Sequence, residues 1–381
     1  MVDRMNYEHS FDAINWCLFT IGSNYASNNR SNTVRTLIFV TFIVHGLVSA
    51  FVPLVNGAII TLDEWSVFIV INYSVINGIL LRAKLTRLLE IKNQLSLQCD
   101  SLSKSEFRCY GFKLASVYFA AILINLSINV LQLQDMDDLR DYYQVHFYVW
   151  QEAAKNSQWY YDVYLYLRFL VFIPFHRSHW SSLSVIVYMY FINIINKIEL
   201  KFLTSTLSKV EESVIAENTI SCRHVLRMRC KIADIRHQFE ACVNVFPFLW
   251  FSALFISSSG HLQLIKNYGD HGTHSHVTTN WLIMELLSYA INACFAFRLL
   301  IKIRAENNDI NHQCVLLSQS IIRNVHNVEF KQSLLNDLEK GQSIEATGWS
   351  LFVLDKSLIL SFVGSLITFS ILFTQISENK L

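Results

Sequence analysis

Apolar runs of about twenty residues recur along the chain, and no other feature restricts its fold as strongly. A run of that length, wound as an α-helix rising about 1.5 Å per residue, spans the roughly 30 Å hydrocarbon core of a bilayer. Only helices and closed barrels satisfy their backbone polar groups there. The candidate segments are Thr36 to Val55, Trp65 to Leu81, Gly111 to Leu131, Trp180 to Ile195, Phe239 to Leu264, Trp281 to Ile301 and Ser357 to Ile376. A further apolar stretch, Trp159 to Phe175, is short, carries Asp162 and Arg168, and ends in Pro174 before the polar HRSH; it reads as a kinked lead-in to the fourth segment. Composition supports this reading, because 52% of residues are hydrophobic and only 16% charged, where a soluble chain needs charge on about a quarter. The expected fold is all-α: a polytopic membrane protein with seven transmembrane helices. Met1 to Ser31 is polar and carries no apolar core of a secretory signal.

Charge distribution then orients the spans. Arg4, Arg30 and Arg35 precede the first, Arg82, Lys84, Arg87, Lys92, Lys104 and Arg108 lie between the second and third, and Lys197 to Arg236 follow the fourth. Arg298 to Lys340 lie between the sixth and seventh, whereas the alternate loops hold few cations. By the positive-inside rule the amino terminus is cytoplasmic and the carboxyl terminus extracellular. That is the reverse of a G-protein-coupled receptor, and the chain also lacks an acidic-Arg pair after the third span and an NPxxY-like sequence in the last.

Other classes recede on the same residues. The net charge of +1 gives no field for nucleic acid. Eight cysteines are scattered without metal-like or disulfide-like spacing. Asp270 to His276 holds three imidazoles but reads as a solvated loop, so no metal is expected. The cluster Arg223, Arg227, Arg229 and Lys231 reads as an orientation-setting helix surface, with contact to anionic membrane lipid as the alternative. With no GxSxG elbow, Walker loop, HExxH or paired intramembrane carboxylates, neither an enzyme nor a cofactor is expected.

Two segments carry polar residues that need an account. In the last, Ser361, Ser365, Thr368, Leu372 and Gln375 follow steps of four and three residues and share one helical face. Such a seam suits either close helix packing or the lining of a pore, since a Gln facing hydrocarbon is costly unless satisfied. In the sixth, Trp281, Glu285 and Tyr289 lie one turn apart. Glu285 is either an interfacial carboxylate reaching water or, with the two aromatic rings, one face of a ligand cavity.

Thr368 to Ile376, TFSILFTQI, resembles the TYhhhhhQF signature of the last span of insect gustatory receptors, where h is hydrophobic. Thr368 and Gln375 match it, while Phe369 stands for its Tyr and Ile376 for its Phe. Upstream, Ala346 to Gly348 and Phe352 to Leu358 are similar to the family's lead-in, and Pro174 with NKIELKFL resembles its fourth span and cytoplasmic extension. The resemblance implies a taste receptor of the sensory-neuron plasma membrane. Such receptors are ligand-gated non-selective cation channels, opened by a small-molecule tastant and built as homo- or hetero-tetramers with related receptors.

On that resemblance the seventh helices line one pore, with Gln375 and Ile376 at its narrowest level above Leu372, Thr368, Ser365 and Ser361. Trp281, Glu285 and Tyr289 would meet the tastant, with bitter compounds favoured over sugars. The expected organisation is a cytoplasmic segment over 1–35, a six-helix ligand-binding region with cytoplasmic extensions over 36–301, an anchor over 302–347, and the pore helix with a short extracellular tail over 348–381. The amphipathic stretches Ile198 to Val214 and Val325 to Leu338 are expected to associate within the anchor. An accessory or co-receptor subunit with the same pore, or a secondary transporter, is the alternative.

Overall fold

The computed structural model of the chain describes residues 29–55, 62–98, 101–133, 158–172, 180–212, 218–271, 276–340, 347–348, 352–353 and 356–378. Helices account for nearly all of them: α1 (Asn29–Val55), α2 (Leu62–Gln98), α3 (Ser101–Gln132), α4 (Gln158–Leu167) with a π-helical turn at Arg168–Phe172, and α5 (Trp180–Glu212). There follow α6 (Asn218–Val243), α7 (Val245–His271), α8 (His276–Asn324), α9 (Val328–Lys340) and α10 (Lys356–Glu378). The expected all-α fold is observed, with one short addition. Thr347–Gly348 (β1) and Phe352–Val353 (β2) pair antiparallel, with Thr347 opposite Val353 and Gly348 opposite Phe352. The two short strands fall between α9 and α10 in the chain.

Each apolar segment lies on helix, but several helices are far longer than the segment they contain. At about 1.5 Å per residue, the 33 residues of α5 and the 49 of α8 make rods of roughly 50 and 75 Å, well beyond a bilayer's hydrocarbon. Among the described residues, three stretches are long and apolar enough to cross a membrane: Phe68–Leu95, Cys109–Leu131 and Leu183–Glu211. Leu226–Val243 with Val245–Ser259, bent by 42°, is a fourth if counted as one span. The bend has a local cause: Pro247 donates no backbone hydrogen bond and its ring crowds the carbonyl one turn earlier, so the helix breaks at Asn244. The Asn244 amide still reaches the Glu240 carbonyl at 3.0 Å, which keeps α6 and α7 in close succession.

Two cores hold the bundle. The first is centred on α5, where every side chain from Leu183 to Asn196 is buried and Tyr188, Tyr190, Phe191 and Ile195 meet α2, α3, α6 and α7. A helix apolar around its whole circumference belongs at the centre of a bundle, and the run SVIVYMYFINII has that character. The second core lies along the far halves of α5, α6 and α8, where Leu203, Leu226, Ile310, Leu317 and Ile321 close on Leu334 and Leu338 of α9. Here the described part of Ile198 to Val214, up to Glu212, and Val325 to Leu338 share one apolar interior.

The second core generates a stability test. Leu317 is fully buried whereas Val315, on the same helix, is 54% exposed. Leu317→Ala should cost about 2–5 kcal/mol and Val315→Ala no more than about 0.5 kcal/mol, read as denaturation midpoints of purified protein.

Candidate functional site: the last helix and the charged joint behind it

Helix α10 is attached to the chain along one face. Leu358, Phe362 and Leu366 pack against the first core. The Phe362 ring lies 6.4 Å from Phe251 and 5.8 Å from Phe255 of α7, and 5.7 Å from Phe297 of α8, all edge-on. Phe369 adds an edge contact to Phe255 at 5.3 Å. Edge-to-face pairs at these separations are favourable beyond their area, so the five rings form a clasp.

The expected seam is a second face, roughly a quarter turn from the clasp. Ser361, Ser365, Thr368 and Leu372 are all exposed on the single chain. Thr368 Oγ1 donates to the Gly364 carbonyl at 2.8 Å, so this hydroxyl is satisfied within its own helix and imposes less demand for a partner than the sequence suggests. Gly364 has open space where a side chain would project. A third face carries Leu360, Val363, Ile367 and Ile371, all exposed. Leu366, off the seam, belongs to the clasp face.

The backbone of α10 carries Gln375 and Ile376, and that of α8 carries Trp281, Glu285 and Tyr289; their side chains lie outside the described residues. So do the side chains of His271 and His276 and the residues between 272 and 275. Among the described residues no group of His, Cys, Asp and Glu could hold a metal ion.

Behind α10 lies a polar joint that sequence reasoning missed. Glu199 of α5 is fully buried and shared by two guanidiniums of α6. Arg229 donates from Nε at 3.3 Å and from Nη2 at 3.1 Å to Glu199 Oε1. Arg236 Nη1 lies 3.6 Å from Glu199 Oε2, with further donations to Asn196 Oδ1 and Asn307 Oδ1, each at 3.1 Å. Arg229 also donates from Nη1 to the Leu338 carbonyl at 2.7 Å, and its Nη2 lies 3.2 Å from Cys314 Sγ. Leu338 is in the last turn of α9, where carbonyls lack partners within their own helix, so Arg229 caps α9 from outside. The expectation that Arg229 lies on a helix surface with Arg227 and Lys231 is therefore corrected: Arg227 and Lys231 are exposed, whereas Arg229 is 1% exposed.

Helical phase carried the missed signal. Leu226, Arg229, Ile232, Arg236 and Phe239 repeat at three and four residues, which puts both arginines on the apolar stripe of α6. Asn193, Asn196 and Glu199 recur every third residue in a helix apolar on all sides. Asn193 Nδ2 and Asn196 Nδ2 donate to the two oxygens of Glu306 at 2.6 and 3.1 Å, which extends the joint to α8. In the first core Asn77 of α2 is another buried polar residue, and neither its Oδ1 nor its Nδ2 has a hydrogen-bond partner among the described residues.

Glu199→Gln leaves two buried guanidiniums short of charge, which should cost about 3–5 kcal/mol of stability. Glu106→Gln, which removes an exposed pairing with Lys197, should cost no more than about 1 kcal/mol in the same denaturation assay. Glu306 adds a pH signature. Burial raises its pKa above the ordinary 4.5, opposed by the Asn196 hydrogen bond and by Lys302 and Lys197. A raised carboxyl pKa means the folded state holds the proton more tightly. Its contribution is therefore greatest below the ordinary value and is lost as pH rises through the raised one. The stability of the wild type relative to Glu306→Gln should fall over that rise, measured as paired melting curves across pH.

No family model and no curated protein matches the sequence. Among solved structures, the chain is similar to the insect olfactory receptor OR5 from Machilis hrabei in complex with eugenol, with a TM-score of 0.73 and 12% identity over 97% of this chain and 100% of that one. A second structure of that receptor gives a TM-score of 0.64 and 12% identity over 98% of this chain and 100% of that one. At that identity the likeness is one of architecture, and it extends over nearly the whole length of both chains: this protein has the fold of an insect olfactory receptor.

Proposed function

We propose that the protein is an insect-type chemoreceptor of the gustatory branch, a seven-span subunit of a ligand-gated cation channel with its amino terminus in the cytoplasm. The observation that carries this reading is the full-length likeness to OR5, whose structure is a complex with the small molecule eugenol. The gustatory assignment rests on the TFSILFTQI signature in α10. In this reading four copies bring the Ser361, Ser365, Thr368 and Leu372 faces around one axis, with Gln375 and Ile376 forming the constriction. The exposure of that face on a single chain supports the arrangement, since a seam of hydroxyls and an amide gains water or symmetry mates there.

The tastant would bind among the outer parts of the helices. Trp281, Glu285 and Tyr289 would supply ring surface and a hydrogen-bond acceptor. Channel opening requires that the ligand bind the open arrangement better than the closed one, and the Phe clasp joins α10 directly to α7 and α8, through which such a preference would travel.

Cysteine scanning of α10 in cells expressing the receptor, with current read before and after a water-soluble thiol reagent, tests the pore. Block or leak should follow positions 361, 365, 368, 372 and 375. Val363 and Ile367, exposed on the opposite side, serve as controls and should respond little. Ile376→Ala should raise basal leak and Gln375→Leu should reduce conductance. Strong modification at 363 and 367 with none along the seam would overturn the proposed pore face.

A further inference from the structure

Three lysines from three helices converge where the apolar segments end. Lys197 follows the fourth segment by two residues, Lys302 directly follows the sixth, and Lys113 stands at the start of the third. The start of an odd span and the ends of even spans face the same side, so all three share one membrane boundary. They also share a field. On α3, Glu106, Tyr110 and Lys113 follow at steps of four and three residues. Lys197 lies 3.8 Å from Glu106 and the Lys302 ammonium 4.2 Å above the Tyr110 ring, so all three lysines front one face of that helix. The positive charges of Lys197 and Lys113 lower the Lys302 pKa in addition to its burial.

Acidic neighbours do not balance them. Lys197 reaches Glu106 at 3.8 Å, and both side chains remain substantially exposed. Lys302 reaches Glu306 at 3.7 Å, but both Glu306 oxygens already accept hydrogen bonds from Asn193 and Asn196. Lys113 has no ion-pair partner among the described residues, and Arg298, exposed one turn before Lys302, adds to the surplus. The Lys302 ammonium is held 4.2 Å above the Tyr110 ring, a cation–π contact that fixes its position without satisfying its N–H donors. Beside these cations, Phe112 and Ile301 are 68% and 44% exposed, which offers apolar cover immediately next to the charge.

We infer that Lys113, Lys197 and Lys302 form a binding site for the phosphate-bearing headgroup of an anionic phospholipid. A phosphate presents several acceptor oxygens and a negative charge, which three ammonium groups at a shared level can meet together. The lipid, rather than a free anion, is the occupant because the site lies at the boundary of the apolar segments with exposed apolar side chains beside it. Its acyl chains would run along the outward side of α3, where Phe119 and Leu123 are exposed. An ordinary basic helix face is different in kind: Arg227 and Lys231 are also exposed cations, but both come from α6 alone.

Native mass spectrometry of the purified full-length protein in neutral detergent, titrated with phosphatidylserine or phosphatidylcholine, tests the site without requiring channel activity. Each lysine near a charged membrane surface contributes enough that Lys113→Gln should weaken phosphatidylserine binding about five-fold and Lys113→Gln with Lys197→Gln about thirty-fold. Phosphatidylcholine binding should be unchanged, and Arg227→Gln with Lys231→Gln should leave phosphatidylserine binding at the wild-type level. Equal phosphatidylserine binding in the double lysine variant would overturn the site. So would an equal loss in the α6 variant, which would mean bulk charge alone, or displacement of the lipid by millimolar inorganic phosphate, which would mean a simple anion site. Should the double variant melt early, Lys113→Gln alone decides, since Lys113 makes no ion pair among the described residues to lose.

Discussion

A carboxylate that cannot reach water must be shared or neutralised, and Glu199 is shared by Arg229 and Arg236. Because the two guanidiniums stand seven residues apart on α6, two turns of that helix are fixed against one point of α5, which sets their register more tightly than apolar contact alone. Desolvating three charges is expensive, and the surrounding amides of Asn196 and Asn307 meet part of that cost by accepting from Arg236. The same Arg229 caps the last turn of α9, so the position of α9 follows from the pair. Whatever leads from α9 through the β1 and β2 hairpin into α10 begins from a place that Glu199 determines.

Continuous long helices explain how this joint and the membrane region act as one body. A helix that stopped at the bilayer surface would leave its terminal carbonyls and amides to be capped there. Instead α5 and α8 run on unbroken past the apolar segments they contain, and their far halves supply walls of the second core. The expected division at residue 301 thus falls inside a single helix, α8, which carries both Phe297 of the clasp and Leu317 of the second core. Rotation or tilt of that rod at one end has no break to absorb it before the other.

Helix positions were legible because each depends on a local quantity, a run of apolar residues long enough to bury its backbone. Trp180 marks the start of α5 and Ser357 stands within the first turn of α10, in sequence reading and structure alike. The seam of Ser361, Ser365, Thr368 and Leu372 was legible for the same reason, since helical phase follows from spacing. Arg229 was misread because counting cations along a loop treats each as solvated. Arg227 and Arg229 differ only in phase, and the partner that permits burial lies thirty residues earlier on another helix. The Phe clasp escaped for a related reason: among the many phenylalanines of the chain, nothing local distinguishes the five that meet from those that face outward. Likewise the hairpin, two residues per strand, is too short for any periodicity to register.

The three faces of α10 bear on how a ligand signal would reach the proposed pore. The helix is held at one side by the Phe clasp, and its other described side chains are exposed on the single chain. Because Arg229 pins the end of α9, motion entering α10 from the membrane side comes through Phe251, Phe255 and Phe297. Edge-to-face rings resist separation but tolerate sliding, so a small shift of α7 or α8 would carry or turn α10. The seam stands roughly a quarter turn from the clasp, with Val363 and Ile367 further round on the opposite side, so a modest turn of α10 changes how squarely the hydroxyls face the axis. A change from polar to apolar lining alters the wetting of a narrow passage with no large movement of the backbone.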